Sequence, residues 1–145
     1  MKNTKLRIGL AMLVVLVSTT LFTSCGKTDT SDSDEKGKFS LTIDGTIEEG
    51  TEVFNAAAIG IRTITAKNAT IDLGILLNED DYKAGATFDL ATNSMSYLKA
   101  GNKTGLPKSG TIKVVSISRI EIINGVFYDV ANDADITITG YISSN

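Results

Sequence analysis

The sequence contains no histidine and no tryptophan, a single cysteine, and only nine aromatic residues among 145. Histidine is the usual general base near neutral pH and the commonest transition-metal ligand, so its absence removes the most familiar routes to acid–base catalysis and to a metal centre. One cysteine cannot form a disulfide within the chain. The usual aromatic platform for sugars, tryptophan, is missing too. We therefore expect no enzymatic activity, no catalytic residue, no metal and no cofactor.

The first residues have the pattern of an export signal. Residues 1–7 carry three positive charges and no acid, and residues 8–17 form an uninterrupted apolar block. A membrane-spanning helix needs about 20 predominantly apolar residues, and the Ser-Thr-Thr sequence at 18–20 interrupts this block before that length. A basic segment followed by a short apolar core predicts a signal peptide, which we assign to residues 1–24.

The single cysteine, Cys25, follows two small residues, Thr23 and Ser24, with Leu21 and Phe22 just upstream. This arrangement resembles the bacterial lipobox, in which the thiol takes the lipid and the chain is cut so that the cysteine becomes the first residue. We therefore expect Cys25 to be acylated, for example with palmitate. Stable anchoring needs more than one acyl chain, and the three chains of a lipoprotein N-terminus meet that requirement, so membrane lipid is a predicted partner.

Residues 26–37 are polar, with four acids against two lysines and no residue that could join a core. Low hydrophobicity combined with charge is typical of disorder, so residues 25–37 are predicted to be the lipidated cysteine and a flexible acidic tether. Such a tether reaches about 20 Å. Acidic stretches at this position resemble the surface-export signals of Bacteroidota lipoproteins. We expect a lipid-anchored location in the cell envelope, at the outer membrane, and leave open whether the domain faces the periplasm or the cell surface.

Residues 38–145 number 108, which suits a single domain. They include thirteen acidic and nine basic side chains. An acidic domain without a basic stripe argues against a nucleic-acid partner.

The hydrophobic pattern of this domain has a period of two. Ile71, Leu73, Ile75 and Leu77 alternate with other residues along one segment, and an Asp-Gly pair at 44–45 gives a tight-turn signal. Short strands separated by turn signals predict an all-β fold, an antiparallel β-sandwich of roughly seven to nine short strands. Only residues 48–58, with three consecutive alanines, could form one or two helical turns.

Residues 119–130 allow two interpretations. The Asn-Gly pair at 124–125 is the strongest short signal for a hairpin, and the pattern of apolar residues favours a hairpin slightly. The same residues also stay in phase if one strand runs straight through.

Several segments taken in order resemble a family of small uncharacterised Bacteroidota lipoproteins. They are FSLTIDG (39–45), YKAGATFDL (82–90), MSYLKA (95–100), SGTIKV (109–114), INGVFYDVA (123–131) and ITITGYI (136–142). Gly-Val-Phe at 125–127 stands where that family usually has Gly-Thr-Phe. The resemblance implies an all-β sandwich, an envelope location and one continuous or bulged strand over 119–130. It implies no site, because the family has no established activity.

Two oxygen-rich segments have the composition of cation-binding loops. Residues 78–81 lack the alternating ligand spacing and the glycine of a calcium loop. Residues 132–135 have two acids at alternate positions, but a predicted strand begins immediately at Ile136. We interpret both as solvated turns. Four acids alternate with apolar neighbours and are expected to face solvent, which leaves no facing carboxylate pair for glycoside hydrolysis. These acids are Asp72, Asp89, Glu121 and Asp129.

Seven of the nine aromatic residues divide into two predicted groups. Those expected in the core are Phe39, Phe88, Tyr97 and Phe127. Those left to contact a glycan are Tyr82, Tyr128 and Tyr141. We predict a membrane-anchored lipoprotein that presents a non-catalytic interaction or structural module. The alternative is a glycan- or ligand-binding accessory lipoprotein, which an exposed row of aromatics or a ligand-sized cavity would favour.

Overall fold

Residues 37–145 are the part of the chain that the computed structural model describes. They form ten β-strands and one short 3-10 helix, Glu79–Asp81. The strands are β1 (Lys38–Ile43), β2 (Thr46–Gly50), β3 (Glu52–Ala58), β4 (Ile61–Lys67), β5 (Ile71–Asn78), β6 (Thr87–Asp89), β7 (Met95–Ala100), β8 (Lys103–Ser116), β9 (Arg119–Asp129) and β10 (Ala134–Ser143).

The strands pair antiparallel in one sheet with the order β2-β1-β10-β9-β8-β7-β5-β4-β3, and β6 pairs with β8 beside this path. The sheet is nearly closed into a barrel. Its end strands, β2 and β3, follow each other in the chain with only Thr51 between them. The predicted all-β antiparallel class is confirmed, with ten strands rather than seven to nine. The two packed layers of a sandwich stay a prediction.

The core lies inside the curved sheet and is built by the predicted alternation. Ile71, Leu73, Ile75 and Leu77 of β5 are all buried, as the period of two indicated. Leu41 of β1 and other apolar residues of the inner face belong to the same cluster. Each such side chain contributes about 1.5–3 kcal/mol when it is fully buried, so this single cluster is the main source of stability.

The Asp44-Gly45 pair forms the predicted tight turn between β1 and β2. Both residues have positive φ, 49° and 82°, as a two-residue hairpin of type I′ requires. The Asp44 carboxylate also accepts a hydrogen bond from the backbone N–H of Thr137 at 2.8 Å, and it forms an ion pair with Lys103 at 2.7 Å. The turn is therefore joined to β10 and β8.

Residues 119–129 form one bulged strand rather than a hairpin. Asn124 has a φ of 49°, and the register of β9 shifts at this point against both β8 and β10. The neighbouring strands carry glycines of positive φ beside the bulge, Gly110 at 123° and Gly140 at 132°. A Cβ on Gly110 would lie 2.5 Å from the Cα of Gly125, so the close approach of these backbones requires glycine.

Residues 48–50 and 52–58 form strands and not the helical turns that the alanines allowed. Gly50 lies against the ring of Phe39, whose Cε1 would be 2.6 Å from an added Cβ, and residues 52–58 pair along the whole of β4. Pairing with β1 and β4 outweighs the helix propensity of three alanines.

Candidate interaction surface

One outer face of the sheet is largely apolar, and we call it the apolar face. Val53, Ile64, Leu73 and Leu98 of β3, β4, β5 and β7 point into the core. The residues that alternate with them along the same strands point away from the core and form this face. Its members are Phe54, Ala56, Ala58, Ile61, Thr63, Thr65, Gly74, Leu76, Met95 and Tyr97.

The strand register arranges these residues in rows that cross four strands. One row is Phe54, Thr65, Gly74 and Tyr97. The next row is Ala56, Thr63, Leu76 and Met95. Residues that are directly opposite on neighbouring strands have their Cβ atoms about 5 Å apart, so each row is a continuous strip of contact surface.

The large side chains on this face are open to solvent. The exposed fraction is 68% for Met95, 55% for Phe54 and about four-tenths for both Ile61 and Tyr97. Single exposed apolar residues are normal on a protein surface, but a contiguous patch of several marks a binding surface. Met, Phe and Tyr are also residue types that interfaces favour.

Tyr97 is fixed in place on this face. Its ring lies over Gly74 so closely that any side chain at position 74 would collide with it. Its hydroxyl donates a hydrogen bond of 3.0 Å to Asp72. Partial burial, together with the Asp72 carboxylate, raises the pKa of the Tyr97 hydroxyl. The ring is thus a rigid aromatic surface, and holding it in this orientation costs little entropy on binding.

The β3–β4 turn extends the apolar face at one end. Ile59 and Gly60 both have positive φ, 53° and 74°, and Ile59 is completely exposed. A β-branched residue at positive φ is strained, and here no burial of the side chain offsets the strain. Strain of this kind is concentrated at functional positions.

A cavity of about 350 Å³ borders the apolar face and shares Ile61, Leu76 and Met95 with it. The remaining wall consists of Gly60, Leu77, Asn78, Thr92, Asn93 and Ser94, so no charged side chain lines it. The Asn78 amide oxygen accepts from the backbone N–H of Asp80, and the Ser94 hydroxyl donates to the carbonyl of Leu90. Because these polar side chains of the wall already form hydrogen bonds within the protein, the cavity is suited to an apolar group.

A second cavity of about 450 Å³ lies at β1, β2 and β10. Its lining is more polar and consists of Lys38, Phe39, Glu49, Gly50, Thr51 and Tyr141. The guanidinium of Arg119 stacks 4.3 Å from the centre of the Tyr141 ring. An aromatic ring together with lysine, carboxylate and hydroxyl groups is able to contact both the apolar and the polar groups of a ligand.

The aromatic residues do not divide as predicted. Phe39, Phe88 and Phe127 are buried, as expected, but Tyr97 lies on the surface because Gly74 leaves room for its ring there. Conversely, Tyr82 is buried and donates a hydrogen bond of 3.3 Å to the carbonyl of Ile117. Burial raises the pKa of its hydroxyl. Of the candidates for glycan contact, Tyr128 and Tyr141 remain accessible.

A polar cluster around Arg62 was not evident from the sequence. Arg62 makes a bidentate ion pair with Glu79, at 2.6 and 2.7 Å, and donates to the amide oxygen of Asn55 at 2.9 Å. Its guanidinium lies 4.5 Å from the centre of the Tyr82 ring. Hydrogen bonding to Arg62 lowers the pKa of Glu79. Asn55 in turn donates to the carbonyl of Ile117, so the cluster joins β3 to the β8–β9 turn.

The side chains of the oxygen-rich segments form ion pairs and hydrogen bonds with other residues of the protein. In residues 78–81, Glu79 pairs with Arg62, and the amide of Asn78 donates to Asp81 at 3.1 Å. In residues 132–135, Asp133 accepts from the hydroxyl of Tyr128, and Asp135 pairs with Lys108 at 2.8 Å. Within residues 37–145, no three acidic, cysteine or histidine side chains are grouped as metal ligands.

The prediction that four strand acids face solvent is wrong for Asp129. Asp89 is exposed and Asp72 and Glu121 are partly exposed, but Asp129 is fully buried. Its carboxylate accepts from the side chain of Asn132 at 2.6 Å and the backbone N–H of Ala131 at 3.0 Å. These bonds hold the turn between β9 and β10. They lower the pKa of Asp129, with the Asn132 contact as the largest cause.

Comparison with protein-family models and with curated protein sequences finds no match to the chain. The resemblance to Bacteroidota lipoproteins therefore stays a prediction. The signal peptide at 1–24, Cys25 and tether residues 26–36 lie outside the described residues. Among residues 37–145, no helix combines the length and the apolar character needed to cross a membrane.

Proposed function

We propose that the chain is a lipid-anchored lipoprotein of the cell envelope whose β-domain is a non-catalytic interaction module, with the apolar face as its contact surface. The proposal joins the predicted acylation of Cys25 to one structural observation, the contiguous exposed apolar area on β3, β4, β5 and β7. It includes the finer prediction that the nearly closed sheet flattens into the two layers of a sandwich.

The composition of the apolar face supports this function. Its exposed side chains include Phe54, Met95 and Tyr97. The charged residues on the outer side of the same strands form the neighbouring row at its border, namely Glu52, Lys67, Asp72 and Lys99. Binding interfaces concentrate aromatic residues and methionine at the centre and place charges at the rim. Exposure of this much apolar surface is unfavourable unless a partner covers it.

Photo-crosslinking in intact cells tests the interaction. A photoreactive amino acid at position 54 of the full chain should give a covalent adduct of higher mass, because a partner covers Phe54. The matched control places it at Ile47, which is also well exposed, 67% against 55%, but lies on β2, outside the four strands of the apolar face. Adducts from neither position, or equally from both, would contradict the proposed contact surface.

The anchor is tested separately by intact mass and membrane partitioning of the native protein beside a Cys25→Ala variant. We expect the native chain to carry the acyl mass and to follow the membrane, and the variant to lose both properties. Protease treatment of whole cells then identifies the leaflet, because a domain on the cell surface is digested. An unacylated native chain that does not follow the membrane would refute the anchor while leaving the apolar face in place.

The second candidate function is glycan binding, and the 450 Å³ cavity beside Tyr141 favours it. Sugars present apolar C–H faces and hydroxyls, which an aromatic ring and polar groups such as Lys38 and Glu49 can contact together. Calorimetric titration with xylohexaose and maltoheptaose tests it. Heat of binding that is lost in a Tyr141→Ala variant would support this function, and no heat with either sugar would speak against it.

A further inference from the structure

The apolar face is large enough to form an interface. A large side chain buries about 150–250 Å² when it is fully covered. The exposed fractions of the four large side chains, together with the fully exposed Ile59, therefore correspond to roughly 600 Å². The smaller residues between them add to this value. A stable complex of standard size buries about 800 Å² on each partner, so the face approaches what a dimer needs.

A row of charges crosses the same four strands next to the Phe54 row. It consists of Glu52, Lys67, Asp72 and Lys99, which are consecutive cross-strand partners. The signs alternate from β3 to β7, and Lys67 and Asp72 already form an ion pair of 3.7 Å. The two outer members, Glu52 and Lys99, are exposed and carry opposite charges at opposite ends of the row.

This row is complementary to its own copy. A twofold axis that runs parallel to the strands, between β4 and β5, reverses the row in the second copy. Glu52 then lies opposite Lys99 of the second chain, and Lys67 lies opposite its Asp72. An acidic domain would repel its copy if the surfaces met at random, whereas this orientation places unlike charges together.

The apolar rows are complementary under the same axis. Ala56 lies opposite Met95 of the second copy, and Thr63 opposite its Leu76, so a small residue faces a larger one at both positions. Phe54 lies opposite Tyr97, whose ring is held by Gly74 and Asp72. Two sheets that pack face to face interdigitate in this way at a separation of about 10 Å, with their strands nearly aligned.

We infer that the partner of the apolar face is a second copy of this chain, and that two copies pack sheet against sheet about a twofold axis parallel to β4 and β5. This inference rests on the proposed function, because it names the partner of the same surface. The contact is isologous, so each residue pair occurs twice.

Mass measurement of the full chain, extracted from membranes in a mild detergent, tests the dimer by light scattering over a dilution series. We expect twice the mass of one chain at high concentration. Phe54→Asp and Met95→Lys should each weaken the dimer at least about 30-fold, since each replaces a large apolar side chain of the predicted contact with a charge. Ile47→Asp, on β2, is the matched control and should leave the mass unchanged. Circular dichroism checks that each variant is folded.

A charge exchange tests the orientation of the two copies. Lys99→Glu places two carboxylates opposite each other and should weaken the dimer about tenfold. Adding Glu52→Lys to it restores unlike charges and should recover the affinity. Lys113→Glu on β8 is the control for a change of net charge. A double variant as weak as the single one would overturn the proposed orientation.

The dimer proposal fails if the native chain is monomeric at every soluble concentration, or if its mass does not respond to Phe54→Asp and Met95→Lys. Its failure is distinguishable from failure of the proposed function. A position-54 adduct that contains a different protein would overturn the dimer and retain the interaction module. Absence of any adduct at position 54 would remove both.

Discussion

Asp129 is a fully buried carboxylate that stabilises the connection between β9 and β10. Hydrogen bonds from Asn132 and Ala131 favour its charged form and lower its pKa. Asp44 has a lowered pKa as well, chiefly because Lys103 donates to it. A carboxyl group with a lower pKa in the folded state stabilises that state above its unfolded pKa, and this stabilisation is lost as the pH falls through the folded pKa.

The domain should therefore be sensitive to acid. We expect the free energy of unfolding to be nearly constant around neutral pH and to decline as the pH falls below the ordinary carboxyl range of about 4. Thermal unfolding followed by circular dichroism between pH 7 and pH 2 measures this. The Asp129→Asn variant should be less stable at pH 7 and show a smaller loss in acid. Asp80→Asn, at an exposed position, is the control, and identical pH profiles for both variants would contradict the role of Asp129.

Gly140 is a second position at which the fold depends on one particular residue. It has a φ of 132°, and an added Cβ would collide with the carbonyl of Ser40. Gly140→Ala should lower the free energy of unfolding by at least about 2 kcal/mol, through backbone strain and the displacement of β1. Gly45 also has positive φ but has open space around it. Gly45→Ala should cost only about 1–2 kcal/mol, and equal losses in urea unfolding would argue against the contact with Ser40.

At the scale of elements, the β3–β4 hairpin combines strain with exposure. Asn is the preferred first residue of a type I′ turn because it tolerates positive φ, yet this turn has Ile59 there. The three apolar residues nearest the turn, Ala58, Ile59 and Ile61, make the end of the hairpin apolar. An isoleucine that destabilises the free domain is consistent with a side chain that contacts a partner.

Ile59→Asn should consequently stabilise the domain and weaken the complex. We expect a rise of about 1 kcal/mol in the free energy of unfolding, because the strain at positive φ is relieved. Ile47 on β2 is also well exposed, at 67%, and Ile47→Asn serves as the control that should not be stabilising. Thermal unfolding measures the first effect and the light-scattering series the second. A destabilised Ile59→Asn variant would contradict the strain.

β9 shows what local signals leave open. Asn124-Gly125 has the chemistry of a hairpin turn, and the residues on both sides are suitable for strands whether or not the chain reverses. The structure has one strand, because β8 and β10 pair along both halves of residues 119–129 and each adapts to the extra residue with a glycine, Gly110 or Gly140. Which outcome occurs depends on these neighbouring strands rather than on the Asn-Gly pair.

For the whole molecule, the sequence alone predicted the parts that depend on nearby residues. The alternation in β5 identified its buried face, and Asp44-Gly45 identified a turn. The surface could not be predicted in this way. Tyr97 is exposed because of Gly74 on the next strand, and Phe54 enters the same row only through β4 and β5. Cross-strand register is set by tertiary pairing, so the apolar face appears only after folding.

The most direct test of the apolar face as a covered surface is the rate of Met95 oxidation in intact cells. A free, 68% exposed methionine is readily converted to the sulfoxide by hydrogen peroxide. Mass spectrometry of the peptide that contains Met95 gives the rate in the native chain and in the Phe54→Asp variant. We predict that oxidation is several-fold slower in the native chain, because a partner covers Met95. Equal rates in the two chains would show that the face is open to solvent and would contradict its role as an interaction surface.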